Sequence, residues 1–284
     1  MRVLITGGHG SLGFQLLKEL RRIGTYDSIS CMDLYEEQPE YPYDSDNTAC
    51  YDEFFYPTDL SVVRDMDIII HLAENAHLLA NPVEQINTNV LFTTALVSTA
   101  AAAGKRVIVP VWNEFRVGEV YVSPLEASLV WRAEIAQMFN RGNAVINLLY
   151  LSRIISPHDE GLKFGNLVKR FYNSVVSGHP ATVYLSELTH NAQWCTDQMA
   201  VRSIVTDMTM RTRSQSFQQG YKASCHSIAE YMAWKMNVEY IEAADPKDKE
   251  TMRIVYNPDS LENLTIKAAI DHCIEAWDEP REAA

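Results

Sequence analysis

"VLITGGHGSLGFQLL", Val3 to Leu17, is a strand-like run that leads through a glycine-rich turn into a helix-like one. Gly8-His9-Gly10-Ser11-Leu12-Gly13 satisfies G-x-G-x-x-G, and Gly7 adds the wider Gly7-x-x-Gly10-x-x-Gly13 spacing. Each glycine has a physical use here: a tight turn, close approach of backbone to a pyrophosphate, and close packing of helix on strand, with the anion held at the helix N-terminus. Such a string is weak alone. Here it has the strand before it, the helix after it, and Asp33 at the end of the next strand, 20 residues past Gly13. An acid at that point accepts hydrogen bonds from ribose hydroxyls and repels a 2′-phosphate, which favours NAD over NADP. His9 has two readings, a phosphate contact or a solvent-facing turn residue.

Outward from this unit the alternation continues through "SISCMD", "DIIIHLA", "PVEQINTNVLFTTALVSTAAAAG", "RVIVPV", a helix after Ser123, and "NAVINLLYL". Short β-branched runs separated by amphipathic ones imply βαβ units and a parallel sheet covered on both faces. The expected fold is therefore α/β, a Rossmann-type doubly wound sheet over residues 1–155. Residues 156–284 read as a smaller C-terminal α/β lobe, interleaved rather than clearly independent. Its helices are expected in "GNLVKRFYNSVVSG", "CTDQMAVRSIVTDM" and "SIAEYMAWKM", and its strands in "ATVYL" and "VEYIE". The acidic stretch "YEEQPEYPYDSDN" reads as a loop.

Composition limits the function. With 47% hydrophobic and 21% charged residues, the 284-residue chain can bury a substantial core. A formal charge of −13 makes most of the surface repel a phosphate backbone, so nucleic acid is a poor partner, while a local pocket for a small anion stays allowed. Five scattered cysteines form no C-x-x-C pair, and neither a disulfide framework nor a metal site is indicated. No segment has the length of a membrane span and the opening residues lack a signal-peptide pattern, so a cytoplasmic protein acting on a small molecule is expected.

"TGGHGSLG", "MDLY", "TDL" (58–60), "DIIIHLA" (67–73) and "NTNVLFTTALVSTAAAAG" resemble, in order and spacing, the extended short-chain dehydrogenase/reductases of the NAD-dependent epimerase/dehydratase type. The resemblance is close over about the first 110 residues and looser beyond. It implies a cofactor site of Gly7, Gly10, Ser11, Leu12, Gly13 and Asp33, with Asp59 and Leu60 beside the adenine and Leu72 and Ala73 beside the ribose and phosphate. It also implies a sugar-nucleotide or similar polar ligand, and a homodimer formed through the helices of "VLFTTALVSTAAAA" and "LEASLVWRAEIAQMF".

The same resemblance exposes a gap. Hydride transfer from an alcohol needs a base, and a tyrosine serves only when its pKa falls well below about 10; in the family a lysine one helical turn on lowers it. The family's Y-x-x-x-K falls on "LEASL", which puts Leu125 and Leu129 at those two positions. Val111 and Trp112 stand where paired serines are expected, and of the usual four groups only Asn89 remains. Substitutes are Asn113, Glu114 and Tyr121, each of which also reads as an ordinary loop residue. Glu74, Trp112, Arg153, Asn166 and His190 are the candidates for holding substrate. Two readings stay open: an atypical enzyme using non-family acid/base residues, and a catalytically inactive NAD-binding regulatory or partner subunit. Redox-neutral chemistry is a weaker third.

Overall fold

The computed structural model describes residues 1–36, 50–76, 80–112, 124–140, 144–158, 167–179, 181–184, 191–210, 212, 215–238, 240–243, 252–254 and 261–278. They form two compact units, Met1–Leu151 with Asp197–Gln218, and Ser152–Thr196 with Gln219–Ala284.

The first unit is built on a seven-stranded sheet. Its strands are β1 (Arg2–Thr6), β2 (Ser28–Met32), β3 (Glu53–Phe55), β4 (Ile68–His71), β5 (Arg106–Trp112), β6 (Val145–Leu151) and β10 (Gln215–Phe217), in the order β10-β6-β5-β4-β1-β2-β3. All neighbours are parallel. A parallel sheet covered on both faces needs near-continuous apolar strands, and the central ones comply: Val3, Leu4, Ile5, Ile68, Ile69, Ile70, Val107, Ile108 and Val109 are wholly buried. Pro110 interrupts β5, and a central strand tolerates a proline poorly. The β4 ladder ends at Ile108, two residues before it, while pairing with β6 runs on alongside it through Trp112.

Helices flank the sheet. α1 (Ser11–Ile23) buries Phe14, Leu16, Leu17 and Leu20. The 82–102 stretch is one helical run in three parts: α2 (Pro82–Ile86), a π-helical segment (Asn87–Phe92) and α3 (Thr93–Ala102). Asn81 caps its start, accepting from the Val83 N–H at 2.9 Å, with Pro82 at the first helical position. α3 packs against α4 (Pro124–Met138), and α1 against α6 (Asp197–Asp207). The return of Asp197–Gln218 to this unit is anchored by polar groups: Arg106 donates to the carbonyls of Asp207 and Met208, and the buried Asp207 carboxylate accepts from Ser216 and Asn147.

The second unit holds two three-stranded sheets. β7 (Arg153–Ile155), β9 (Asn191–Thr196) and β11 (Tyr221–Ser224) form one; β8 (Ala181–Tyr184), β12 (Tyr240–Ala243) and β13 (Met252–Ile254) form the other. α5 (Leu167–Val176), α7 (Cys225–Met236) and α8 (Leu264–Asp278) complete it.

What positions the site is the order of the first sheet. The chain runs outward from β1 through β2 to β3, then returns to lay β4, β5 and β6 on the other side of β1. At such a reversal the flanking connections diverge and open a crevice outside the carboxyl ends of the strands.

Candidate functional site

The turn after β1 lies at that reversal. Gly7 adopts φ +72°, and a side chain there would also meet the backbone of Leu72 and Ala73, with an added Cβ 2.6 Å from the Ala73 nitrogen. Gly13 is required by packing: a methyl on it would overlap the Gly7 carbonyl and lie 2.8 Å from the Gly8 Cα. Gly10, the N-cap of α1, contributes no side-chain cap, and the first turn of that helix carries no acid. The N-terminal N–H groups, with the positive end of the helix dipole, are thus left for an anion.

Asp33 directly follows β2, beside this turn. Its Oδ2 accepts from the His9 N–H at 2.9 Å and its Oδ1 from the Leu34 N–H at 2.8 Å. A carboxylate has about four acceptor positions, so each oxygen keeps one for a ribose hydroxyl. His9 is not solvent-facing. Its ring is buried and stacks on Phe54 with centroids 5.6 Å apart. Burial pulls its pKa down, against the opposing pull of the Asp33 charge.

Under the turn, His71 joins three elements. Its Nδ1 bonds the Thr6 hydroxyl at 2.7 Å and its Nε2 the Thr93 hydroxyl at 2.8 Å. Complete burial pushes His71 well below its ordinary 6.5, and the Arg132 charge pushes the same way. It is a core histidine, neutral in the folded state. The unfolded chain takes up this proton below about pH 6.5 and the folded chain resists it, so stability is full above that value and falls as pH drops, by up to ~1.4 kcal/mol per unit for this one group. Urea midpoints at about pH 7.5 and about pH 5.5 check this, and His71→Gln should flatten part of the slope.

Leu125 and Leu129 point into packing, 6% and 3% exposed. Asn89 is committed within the protein: its Oδ1 accepts from the Asn75 N–H at 2.8 Å, and its Nδ2 donates to the Asn75 carbonyl and to Ser128 Oγ, both at 2.9 Å. Ser128 in turn donates to the Leu125 carbonyl at 2.8 Å. Asn89, in its π-helical turn, therefore ties the loop after β4 to α4.

A charged group does lie on this face of α4. Arg132, 2% exposed, donates to the Glu74 carboxylate and to the His71 carbonyl. Trp112, closing β5, donates its indole N–H to the other Glu74 oxygen at 2.8 Å. Burial pulls the Arg132 pKa down and the Glu74 carboxylate opposes it. Glu74 and Trp112, separate candidates in the sequence, are thus brought together, at the carboxyl ends of neighbouring strands, by an arginine that the sequence reading passed over. A polar residue in step with Leu125, Ser128, Leu129, Ala133 and Ala136 was the available signal.

Residues 3–111 match the sequence model of the NAD dependent epimerase/dehydratase family. Those residues form a domain of that family. No curated protein matches the chain by sequence. Solved structures of similar fold include TunA, an NAD dependent NDP-hexosamine 5,6-dehydratase involved in tunicamycin biosynthesis, 17% identical with a TM-score of 0.76 over 99% of this chain and 98% of that one. A UDP-glucose 4-epimerase from Thermotoga maritima, bound to UDP-glucose, is 14% identical with a TM-score of 0.74 over 98% of each chain. MoeE5, in complex with UDP-glucuronic acid and NAD, is 17% identical with a TM-score of 0.72 over 98% of this chain and 99% of that one.

The remaining cofactor candidates lie on three segments of residues 3–111. Ser11 and Leu12 open α1. The Leu72 N–H bonds the Thr6 carbonyl at 3.0 Å and the Ala73 N–H bonds Thr6 Oγ1 at 3.3 Å, which fixes the chain leaving β4. Asp59, exposed, accepts from Ser61 at 2.6 Å at the start of a 3-10 helix, Leu60–Asp65, whose Leu60 packs on the core. Arg153 lies in the second unit, buried, with its guanidinium 5.3 Å from the Trp194 ring and a bond to Cys225 Sγ at 3.2 Å. Asn113, Glu114, Tyr121, Asn166 and His190 lie outside the described residues. Among the described residues no cluster of acids, histidines or cysteines is placed to hold a metal ion, and no helix is long and apolar enough to cross a membrane.

Proposed function

We propose that this protein binds NAD(H) through its epimerase/dehydratase domain and acts on, or senses, a sugar-nucleotide or other small polar metabolite, with acid/base groups different from those of the family. The observation that carries the reading is the uncapped N-terminus of α1, reached through a turn that needs glycine and flanked by Asp33. The turn and the helix N–H groups would hold the diphosphate, and Asp33 the adenine ribose. Bound there, NAD supplies the hydride acceptor or donor; the chain supplies the shape, the anion site and the ribose acceptor. The nucleotide-sugar class is the reading supported by the ligands of MoeE5 and the Thermotoga maritima epimerase.

A second reading is a catalytically silent NAD-binding partner subunit. It is favoured by Leu125 and Leu129, which offer no proton, and by Asn89, whose two amide N–H groups are given to the Asn75 carbonyl and Ser128 and whose oxygen accepts from the Asn75 N–H.

Isothermal titration tests the cofactor. NAD, NADH and ADP should bind, NADP about 10-fold or more weakly, and Asp33→Ser should narrow that gap by removing the carboxylate that repels a 2′-phosphate. Failure of all four to bind removes the assignment. Turnover of UDP-glucose or UDP-glucuronic acid by the NAD-loaded protein, followed by NMR, separates enzyme from silent subunit. We also infer a cytoplasmic homodimer formed through α3 and α4, supported by the exposed Leu91, Trp131 and Met138 on or beside these helices. Sedimentation at micromolar concentration should give twice the chain mass.

A further inference from the structure

We infer that Glu74 is an acceptor for a sugar diol at the carboxyl ends of β4 and β5, held in place by Arg132 and Trp112 as positioning residues. This rests on the dinucleotide reading and extends it to the far half of the site. Because β1 lies between β2 and β4, the glycine turn has a carboxylate one strand away on each side, Asp33 after β2 and Glu74 after β4. The two strands lie two spacings apart, about 9.5 Å, the scale of a diphosphate with a ribose at each end. A diphosphate over the turn would direct one sugar toward Asp33 and the rest of the ligand toward Glu74.

The chemistry at Glu74 fits that placement. Each of its oxygens has one fixed donor, the Trp112 indole N–H on one and the Arg132 guanidinium on the other, which leaves acceptor positions on both. Two oxygens so oriented match two adjacent hydroxyls. The side chain is 13% exposed, enough for a ligand to reach while bulk water is mostly excluded.

The arginine answers an electrostatic difficulty. A bare carboxylate near a diphosphate, on a chain of net charge −13, would repel the ligand it is to hold. Pairing with a buried guanidinium makes the group neutral overall while keeping its oxygens as acceptors. Burying such a pair is costly, and well-packed apolar residues of similar volume often serve stability as well or better. Arg132 carries a further cost, since its Nε is buried with no hydrogen-bond partner among the described residues. An ion pair kept on those terms at the ligand edge is explained by a task that apolar residues cannot perform.

The diol has two sources, the second ribose of NAD or the hexose of a nucleotide sugar, and titration of ADP, NAD and, in the presence of NAD, UDP-glucose tells them apart. The variants are Glu74→Gln and the double variant Glu74→Gln with Arg132→Met, which leaves no stranded guanidinium. ADP lacks the second sugar and reports on the nucleotide end alone. If the ribose is the ligand, NAD should bind both variants about 10- to 100-fold more weakly, the loss expected for hydrogen bonds to a charged acceptor, with ADP unchanged. If the hexose is the ligand, NAD should be unchanged and UDP-glucose weakened by that factor. Unchanged binding of NAD and UDP-glucose in both variants would overturn the assignment, as would parallel loss of ADP, which marks a structural role. Wild-type protein that binds neither ADP nor NAD instead removes the dinucleotide reading on which the assignment stands.

Discussion

Replacing Arg132 by Met should lower the unfolding free energy by about 3–5 kcal/mol, the cost of breaking a buried pair from one side. Two acceptors lose their donor together. Glu74, 13% exposed, loses the cation beside it, and the buried His71 carbonyl loses its partner. The N–H of Trp112 then faces a carboxylate free to turn toward water. Methionine replaces the stem volume well, so packing alone should cost little. Adding Glu74→Gln to Arg132→Met should recover most of the loss, since a neutral pair no longer strands a charge, and the coupling in this double-mutant cycle measures the interaction directly. The readout is the urea midpoint with the slope unchanged. A single Arg132→Met variant within about 1 kcal/mol of wild type would mean that water reaches the pair and that its charges were never desolvated.

This ion pair also marks where sequence reading stops. The β1–turn–α1 unit and Asp33 were legible because their signals are local: glycine spacing, a strand before, a helix after, an acid at the next strand end. Arg132 was not, because its partner Glu74 lies 58 residues away and nothing local distinguishes a buried arginine from a solvated one. Arg132 stands in step with Leu125 and Leu129 on that helix, but spacing alone does not say whether a polar residue beside an apolar face is buried. The solvent-facing reading of His9 fails for a related reason, since its ring is covered by Phe54 of β3, an element that only tertiary pairing brings against the turn. Likewise the pattern of Asp197–Gln218 does not say which unit receives it. That depends on Arg106 reaching two carbonyls at the end of α6.

Two single-methyl changes in the glycine turn should separate folding from binding. Gly13→Ala places its methyl against the Gly7 carbonyl and the Gly8 Cα, backbone atoms that cannot swing aside as a side chain end would. Either α1 moves off β1 or the turn opens, and the expected cost is at the top of the ~1–3 kcal/mol range for overpacking, or above it. Gly10→Ala is different. Gly10 sits at φ −77° and ψ 159°, extended backbone open to any residue, and its added Cβ would meet only the Gly7 carbonyl, at 3.3 Å. Backbone strain does not demand glycine there, and the contact is tight but short of overlap, so a shift of a few tenths of an ångström relieves it. The remaining reason for its absent side chain is the approach of a ligand to the backbone at the start of α1, the role of the second glycine in dinucleotide turns. Gly10→Ala should therefore keep the wild-type urea midpoint to within about 1 kcal/mol while weakening ADP and NAD alike by about 100-fold, the scale of losing close contact between a diphosphate and several backbone N–H groups. Wild-type ADP affinity in a folded Gly10→Ala protein would move the diphosphate away from the α1 N-terminus. Loss of stability without loss of affinity would show that the turn is built for packing alone.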